Sequence, residues 1–220
     1  MIESLLPACV VAVEAFVDVP GEAPFPGEED LIAKAVEGRR REFITARRCA
    51  REALRAFGYP DAPIRSGPKR EPQWPAELTG SITHCSGYRA AAVARTTDID
   101  LLGIDAEPNG PLPAGVTESV TVPGEPEMLD RLHRTHPGAH WGRLLFSAKE
   151  SVYKAWFPVT RRWLGFEEAR LSIDPAAETF TATLLVDGTR IDGGPPLTCL
   201  RGRFVVDRGL VVTVVSATRR

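Results

Sequence analysis

The amino-acid sequence predicts an α+β fold built from two similar subdomains, because helical and strand-like segments recur in both halves of the chain. Short strand-like segments follow one another around tight turns, which is typical of antiparallel sheets. Of the 220 residues, 43% are hydrophobic and 25% are charged, as in ordinary globular proteins. We therefore expect a pseudo-dimer of subdomains at residues 1–103 and 104–220, each with an antiparallel sheet and packed helices, and an active site at their interface.

The first half of the chain contains both helical and strand-like patterns, separated by glycine and proline. In chain order they predict a strand at 9–17, a helix at 31–38 that ends at Gly38, a longer helix that ends near Phe57, and strands at 81–87 and 88–95 around Gly87. Acidic residues before position 31 favour a helix start there, and Gly58 and Pro60 terminate the long helix. We expect the Pro- and Gly-rich segment 58–80 to be a loop.

The second half repeats this mixture of elements. The predicted segments are a strand at 101–107 that Pro108 stops, a helix at 127–136, a helix from 146 to about 158, strands at 169–173 and 178–186, and a hairpin over 202–218 that turns at 207–209. Both subdomains would then contribute a sheet and helices to their interface.

The helix at 146–156 carries charged residues where a core-facing helix should be apolar. On a helical wheel, Lys149 falls in the middle of the apolar arc, and Glu150 and Lys154 share one shoulder of it. Because a buried ammonium group is costly without an anion, two interpretations stay open. Lys149 either extends to solvent or pairs with a core carboxylate, or this face lines a pocket for an anionic ligand.

Two carboxylates in the strand 103–107 are candidates for a metal site. The period of a strand puts Asp105 and Glu107 on one face, while Ile104 faces the other way. The alternative is a solvated strand end. With Glu150, the pair would supply three carboxylates for one hard cation, for which Mg²⁺ is the natural choice and Mn²⁺ an alternative.

An arginine-rich helix and a nearby loop are candidates for binding phosphate. Arg39 and Arg47 lie at or near the apolar face of the helix, where an arginine favours a fixed anion. Lys69 and Arg70 of the loop would extend this anion site, or are ordinary loop charges. His84 would donate to a phosphate, relay a proton, or be a structural histidine.

Four further arginines are expected on the outer face of the same helix, as a solvated surface or as a docking patch for an acidic partner. They are Arg41, Arg48, Arg51 and Arg55. The inward cations and the carboxylates together indicate a site for a polyphosphorylated small molecule and phosphoryl-type chemistry. A P-loop or a dinucleotide fingerprint is absent from the sequence, so those two nucleotide-binding folds are disfavoured.

The overall charge and the cysteines narrow the class of protein further. The net charge of −2 gives no indication of a nucleic-acid partner. The four cysteines are far apart and form no C-x-x-C pair, which disfavours a metal–thiolate site and favours the cytoplasm. The segment 1–16 has an apolar run without a basic start, so we expect a buried strand and neither a signal peptide nor a membrane span.

The sequences GIDAE at 103–107 and AKESVYK at 148–154 resemble the paired signature of phosphopantetheinyl transferases, G-[IV]-D-x-E followed downstream by [WF]-x-x-K-E-x-x-x-K. The chain length and the two halves are similar to the surfactin-synthetase-activating (Sfp-like) class. RRREFITARRCAREAL, SITHCSGYRAAAV and KAWFPVTRRWLGFE resemble the actinobacterial branch, which serves fatty-acid, polyketide and nonribosomal-peptide synthases. The resemblance covers most of residues 28–215.

The resemblance implies a transferase of the holo-[acyl-carrier-protein] synthase type. Such an enzyme moves the 4′-phosphopantetheine arm of coenzyme A onto a serine of an apo acyl or peptidyl carrier protein and releases adenosine 3′,5′-bisphosphate. It implies Asp105, Glu107 and Glu150 as metal ligands. Glu150, acting directly or through water, and Lys154, near the pyrophosphate, are the implied catalytic residues. The residues that it implies for coenzyme A binding are Arg39, Arg47, Lys69, Arg70, Thr83, His84, Asp105, Lys149 and Lys154.

Two departures from the family pattern concern packing and metal ligation. Phe146 stands where many members have tryptophan, a packing change from which we expect little consequence for the chemistry. Ala106 stands where some relatives have a polar or acidic residue, so a water or a substrate oxygen is expected to take that ligand position.

The resemblance and the residues together imply coenzyme A and apo carrier proteins as partners, with no nucleic acid and no membrane. The two-half architecture indicates a monomer. The outer arginines and the apolar residues after the 146–158 helix would steer an acidic carrier protein. Two alternatives remain, a different Mg²⁺-dependent phosphotransferase or pyrophosphatase that acts on coenzyme A or nucleotides, and a non-catalytic coenzyme A-binding protein.

Overall fold

Two antiparallel sheets form the frame of the computed structural model, which describes residues 1–219. The smaller sheet has the order β1-β3-β2, and its strands are β1 (Val11–Ala15), β2 (Leu78–Cys85) and β3 (Tyr88–Arg95). The larger sheet has the order β4-β8-β7-β6-β5, and its strands are β4 (Ile99–Pro108), β5 (Ala169–Asp174), β6 (Thr179–Leu184), β7 (Cys199–Asp207) and β8 (Leu210–Thr218). The predicted α+β class with two antiparallel sheets is confirmed.

Residues 1–219 also form four α-helices. They are α1 (Glu37–Arg55), α2 (Val116–Val120), α3 (Glu125–Thr135) and α4 (Trp141–Thr160). The predicted helix at 31–38 is wrong, because only the 3₁₀ turn Glu29–Ile32 forms there. Val36 is extended and precedes α1, so Gly38 lies in the first turn of the long helix instead of ending a short one. Within residues 1–219, none of the helices has the length and apolar character needed to cross a bilayer.

Side-chain hydroxyls join the two sheets where β2 lies beside β4. The Ile104 N–H donates to Ser81 Oγ, and the Ala106 N–H donates to Thr83 Oγ1, both at 3.0 Å. These bonds satisfy amide groups at the edge of β4 that would otherwise be buried without partners. This β2–β4 junction holds Asp105 between the two sheets.

The two halves of the chain also share a core. Ile2, Tyr88 and Ile104 belong to one buried apolar cluster, which draws on both sheets. β4 lies wholly in the larger sheet, so the boundary between sheets falls after Arg95, whereas the expected division at 103/104 cuts through β4. The division of the chain into subdomains 1–103 and 104–220 stays a prediction.

Helix α4 crosses β4 at unusually close range. A Cβ atom on Gly103 would lie 2.1 Å from Ser151 O and 2.6 Å from Ala155 N, so only glycine permits this approach. The helix buries Leu144 and Trp156 in the largest core cluster. Lys154 of the same helix bonds the carboxylate of Asp105 on β4.

Candidate active site

A cavity of about 850 Å³ lies between α1, the loop before β2, β2 itself and α4. Seven of the predicted site residues line it, and they are Arg39, Arg47, Lys69, Arg70, His84, Glu150 and Lys154. The first five belong to the N-terminal half of the chain and the last two to α4. The structure thus brings together most of the charged groups that the sequence indicated, at the meeting of the two halves.

Arg47 is the most firmly held cation of the cavity. It is only 7% exposed, and it donates from Nε to Ile64 O at 3.1 Å and from Nη2 to Ser66 Oγ at 3.0 Å. Its guanidinium carbon lies 3.6 Å from the centroid of the Phe43 ring. Burial lowers the pKa of Arg47 to about 10, so the side chain remains charged near neutral pH.

His84 is neutral at physiological pH. Burial and then the nearby Arg39 and Lys154 lower the pKa of His84 to about 3. Its Nδ1 lies 3.1 Å from Glu42 Oε2, and its Nε2 contacts the Arg39 guanidinium. The cations that add to the effect of burial on this ring indicate a positive potential in this part of the cavity, which suits a polyanion.

The loop residues Lys69 and Arg70 are presented by a tight turn. The Gly67 N–H donates to Glu71 O at 2.8 Å, and the Lys69 N–H donates to Glu71 Oε2 at 2.9 Å. Arg70 has a φ of 66°, in the left-handed region. Glu71 Oε1 also accepts from Arg161 Nη1 at 3.2 Å, which ties this loop to the end of α4.

Each of the two β4 carboxylates is held by a cation from α4. Asp105 is 6% exposed, and its Oδ1 accepts from Lys154 Nζ at 2.7 Å and from Thr83 Oγ1 at 3.3 Å. Its Oδ2 is buried and has no hydrogen-bond partner among residues 1–219. Glu107 Oε2 accepts from Arg143 Nη1 at 3.1 Å.

The carboxylates repel one another in a half-buried setting. Burial, with the charge of Asp105 as a smaller contribution, raises the pKa of Glu107 above its ordinary value. The pKa of Glu150 is raised as well, by burial first and again by Asp105. A cation placed among these groups would relieve this repulsion.

The predicted metal triad is not assembled as a metal centre within the described chain. No three His, Cys, Asp or Glu side chains of residues 1–219 are grouped closely enough to hold an ion. The donor chemistry nevertheless fits a hard cation, because Asp105 Oδ2 is a buried carboxylate oxygen without a partner and Glu107 and Glu150 offer further carboxylates.

Lys149 does not line the cavity, so the geometry does not support the interpretation of this residue as a phosphate ligand. The side chain is buried, and Nζ donates to Glu125 Oε2 at 2.9 Å, Val120 O at 2.8 Å and Phe166 O at 2.9 Å. All three ammonium donors are therefore used. The other interpretation, a lysine paired with a core carboxylate, is the one that the geometry supports.

Two other residues have roles that differ from those expected. Thr83 is 2% exposed, and its hydroxyl belongs to the β2–β4 junction, so it is not placed to bind coenzyme A. Arg51 is not on the outer face of α1. It is 6% exposed, donates to the fully buried Glu28 Oε1 at 2.7 Å and lies over the Phe25 ring.

Sequence reasoning missed Arg143 and Glu125. Arg143 lies seven residues before Glu150, which is two helical turns, so a longer wheel would have placed both on one stripe. Glu125 precedes the predicted helix at 127–136, and no local pattern indicates its distant partner Lys149.

A cationic cavity beside carboxylates is typical of enzymes of phosphate-ester chemistry that take a polyphosphorylated substrate. Comparison with known proteins makes this class specific. A family model described as the 4′-phosphopantetheinyl transferase N-terminal domain matches residues 27–94, and one described as the 4′-phosphopantetheinyl transferase superfamily matches residues 101–193.

Curated relatives match almost the whole chain. The 4′-phosphopantetheinyl transferase PptT of Mycobacterium tuberculosis is 48% identical, over 98% of this chain and 97% of its own length. The 4′-phosphopantetheinyl transferase Svp of Streptomyces mobaraensis is 50% identical, over 98% of this chain and 89% of its own length. The 4′-phosphopantetheinyl transferase Npt of Nocardia iowensis is 47% identical, over 98% of this chain and 99% of its own length. The chain belongs to the 4′-phosphopantetheinyl transferase family.

Family membership confirms the predicted activity. Members of this family transfer phosphopantetheine from coenzyme A to carrier proteins, and the chain is a transferase of the holo-[acyl-carrier-protein] synthase type.

Proposed function

We propose that the chain is a Mg²⁺-dependent transferase of the Sfp-like class and its actinobacterial branch, and that it modifies a serine of apo acyl and peptidyl carrier proteins. The observation that carries this proposal is the position of Lys154, which lines the cationic cavity and also bonds Asp105 of the carboxylate group. Near-complete coverage by relatives from Mycobacterium, Streptomyces and Nocardia supports the branch.

The cationic wall of the cavity binds the phosphates of coenzyme A in this proposal. Arg47 is pre-positioned by its two hydrogen bonds and its contact with Phe43, so it loses little freedom when it meets a phosphate. Arg39, Lys69 and Arg70 add charge from the mouth of the cavity. His84 accepts from Arg39 through Nε2 and so helps to orient this guanidinium without adding a charge.

The reaction takes place in this proposal at Glu150, which lines the cavity, and at the two β4 carboxylates beside it. Asp105, Glu107 and Glu150 would hold Mg²⁺, or Mn²⁺, which when bound neutralises charge on the leaving bisphosphate. Lys154 moves part of its hydrogen bonding from Asp105 to the pyrophosphate. Its flexible stem and its 26% exposed side chain allow this movement.

Glu150 takes the proton of the carrier serine, directly or through a water. The serine Oγ forms a bond to the β-phosphorus of coenzyme A, the bond from that phosphorus to the bridging oxygen breaks, and adenosine 3′,5′-bisphosphate leaves with the electron pair. Because burial raises the pKa of Glu150, its carboxylate is a stronger base than an exposed glutamate.

Intact-mass spectrometry of an apo acyl carrier protein tests the proposal. Incubation with this protein, coenzyme A and Mg²⁺ is expected to add the mass of one phosphopantetheine, and EDTA is expected to abolish the gain. Glu150→Ala should reduce the rate about 10²–10⁴-fold, whereas the exposed Glu127→Ala on α3 should not. Hydrolysis of coenzyme A without a carrier, or binding without transfer, would contradict the proposal.

We also propose that the enzyme acts in the cytoplasm as a monomer. All four cysteines, Cys9, Cys49, Cys85 and Cys199, are free thiols, which supports a reducing compartment. Sedimentation equilibrium of the full chain tests the oligomeric state, since a dimer would have twice the mass of 24.0 kDa.

A further inference from the structure

Arg143 of α4 fixes Glu107 and the chain that follows β4. Its side chain is 17% exposed, and Nη1 donates to Glu107 Oε2 at 3.1 Å. Nε donates to Gly110 O at 3.3 Å and Nη2 to Pro111 O at 2.6 Å. One guanidinium thus bonds the carboxylate and the backbone just beyond it, a geometry that the rigid fork of arginine permits.

The carbonyls that Arg143 contacts belong to a segment that is itself held in place. Asn109 Oδ1 accepts from the His140 N–H at 2.9 Å, and the Asn109 N–H donates to Gly209 O at 2.8 Å. The segment after β4 is therefore bound both to the start of α4 and to the turn between β7 and β8. Arg143 has fixed anchoring points from which it can orient Glu107.

The bond to Arg143 uses one oxygen of Glu107. No described residue hydrogen-bonds Glu107 Oε1, so the second oxygen is left for another partner. Lys154 holds Asp105 Oδ1 in the same manner and leaves Asp105 Oδ2 without a partner. Both β4 carboxylates therefore have one oxygen held by α4 and one that remains unbonded within the described chain.

We infer that Arg143 is a positioning residue for the divalent-cation site, because it holds Glu107 so that one carboxylate oxygen remains available to the ion. This inference rests on the proposed function, which assigns the ion to Asp105, Glu107 and Glu150. Hydrogen-bonding partners that orient a metal ligand are generally worth about 10–100-fold in metal affinity. Arg143 acts through Glu107 and contacts neither the substrate nor the ion.

Titration of the full chain with Mn²⁺, with the free ion followed by electron paramagnetic resonance, tests this role without measuring activity. Arg143→Met is expected to weaken Mn²⁺ binding about 10–100-fold in the presence of coenzyme A. Its coenzyme A affinity in EDTA should match that of the wild type. The matched control is Arg134→Met, an exposed arginine on α3, which should bind Mn²⁺ normally.

Arg143→Lys keeps the charge but loses the fork, and it is the variant to measure if Arg143→Met does not fold. We expect the lysine variant to bind Mn²⁺ more weakly than the wild type, since a single ammonium cannot reproduce the three bonds. Unchanged or tighter Mn²⁺ binding in the folded variants would overturn the inference and make Arg143 a competing countercharge. Absence of Mn²⁺ binding in the wild type would instead contradict the proposed metal site, and this inference with it.

Discussion

Replacement of Lys149 separates a structural role from a phosphate-binding one. In Lys149→Met, the buried Glu125 loses its countercharge and keeps only the N–H donors of Val122 and Leu171, at 2.8 and 2.7 Å. The carbonyls of Val120 and Phe166 lose a donor as well. Removal of one partner from a buried ion pair costs about 3–5 kcal/mol of unfolding free energy.

For a chain of this length, that loss corresponds to a decrease of about 6–20 °C in the melting temperature. Differential scanning calorimetry measures the decrease. The double variant Lys149→Met with Glu125→Gln should lose less stability than the sum of the losses of the two single variants, because Lys149→Met alone and Glu125→Gln alone each leave an unpaired buried charge, whereas the double variant leaves none.

Isothermal titration with coenzyme A completes the test. The folded Lys149→Met protein should bind coenzyme A with the wild-type affinity. The matched control is Lys69→Met, an exposed cavity lysine, which should bind on the order of tenfold more weakly and melt at the wild-type temperature. A Lys149→Met protein of unchanged stability and weakened coenzyme A binding would refute the structural role.

Three further substitutions test the fold around the site. Gly103→Ala puts a Cβ 2.1 Å from Ser151 O, so α4 must move; we expect at least about 1–3 kcal/mol of lost stability in urea unfolding and a decrease in kcat. Thr83→Val leaves the buried Ala106 N–H without a partner and should cost about 1–3 kcal/mol in the same assay, with unchanged coenzyme A affinity by titration calorimetry. The pKa of His84 is about 3 in the folded protein, whereas an ordinary histidine has a pKa of 6.5. Between these two values the unfolded state binds more protons than the folded state. The stability therefore falls as the pH falls through this window, by at most about 1.4 kcal/mol per pH unit. His84→Gln should therefore show a shallower loss of urea stability from pH 7 to pH 4.5, and parallel curves for the two proteins would contradict the neutral histidine.

The periodic patterns of the sequence predicted the sheets well because each buried strand alternates or is continuously apolar. The strand over 101–107, the hairpin around 207–209 and the pair around Gly87 all form where expected. The helix predicted at 31–38 does not form, because the apolar residues of this segment are equally compatible with a helix and with a 3₁₀ turn that packs against α1. Propensity alone does not distinguish these two outcomes.

The sequence predicted many of the charged residues that line the cavity, but it did not predict the partners of Arg51 and Lys149, which are distant in sequence. The sequence predicted Arg51 on the outer face of α1. Its partner Glu28 lies in an irregular segment without a periodic pattern, so the pairing could not be predicted. Because Arg51 is buried, it cannot belong to the surface that we hypothesise to dock the carrier protein. Arg48 also pairs, with Glu22 at 2.9 Å, but remains about one-third exposed.

The geometry of one helix explains why the two lysines of the K-E-x-x-x-K signature differ. At about 100° per residue, Glu150 and Lys154 lie about 40° apart, whereas Lys149 and Lys154 lie about 140° apart. A single cavity on one side of α4 can therefore receive Glu150 and Lys154 but not Lys149. The helical wheel placed Lys149 in the apolar arc, and the structure provides the anion that this position requires, the buried carboxylate of Glu125. Lys149 thus holds one side of α4 against Glu125 of α3, and Gly103 allows the other side to approach β4, so both contacts help to set the position of Glu150 relative to Asp105.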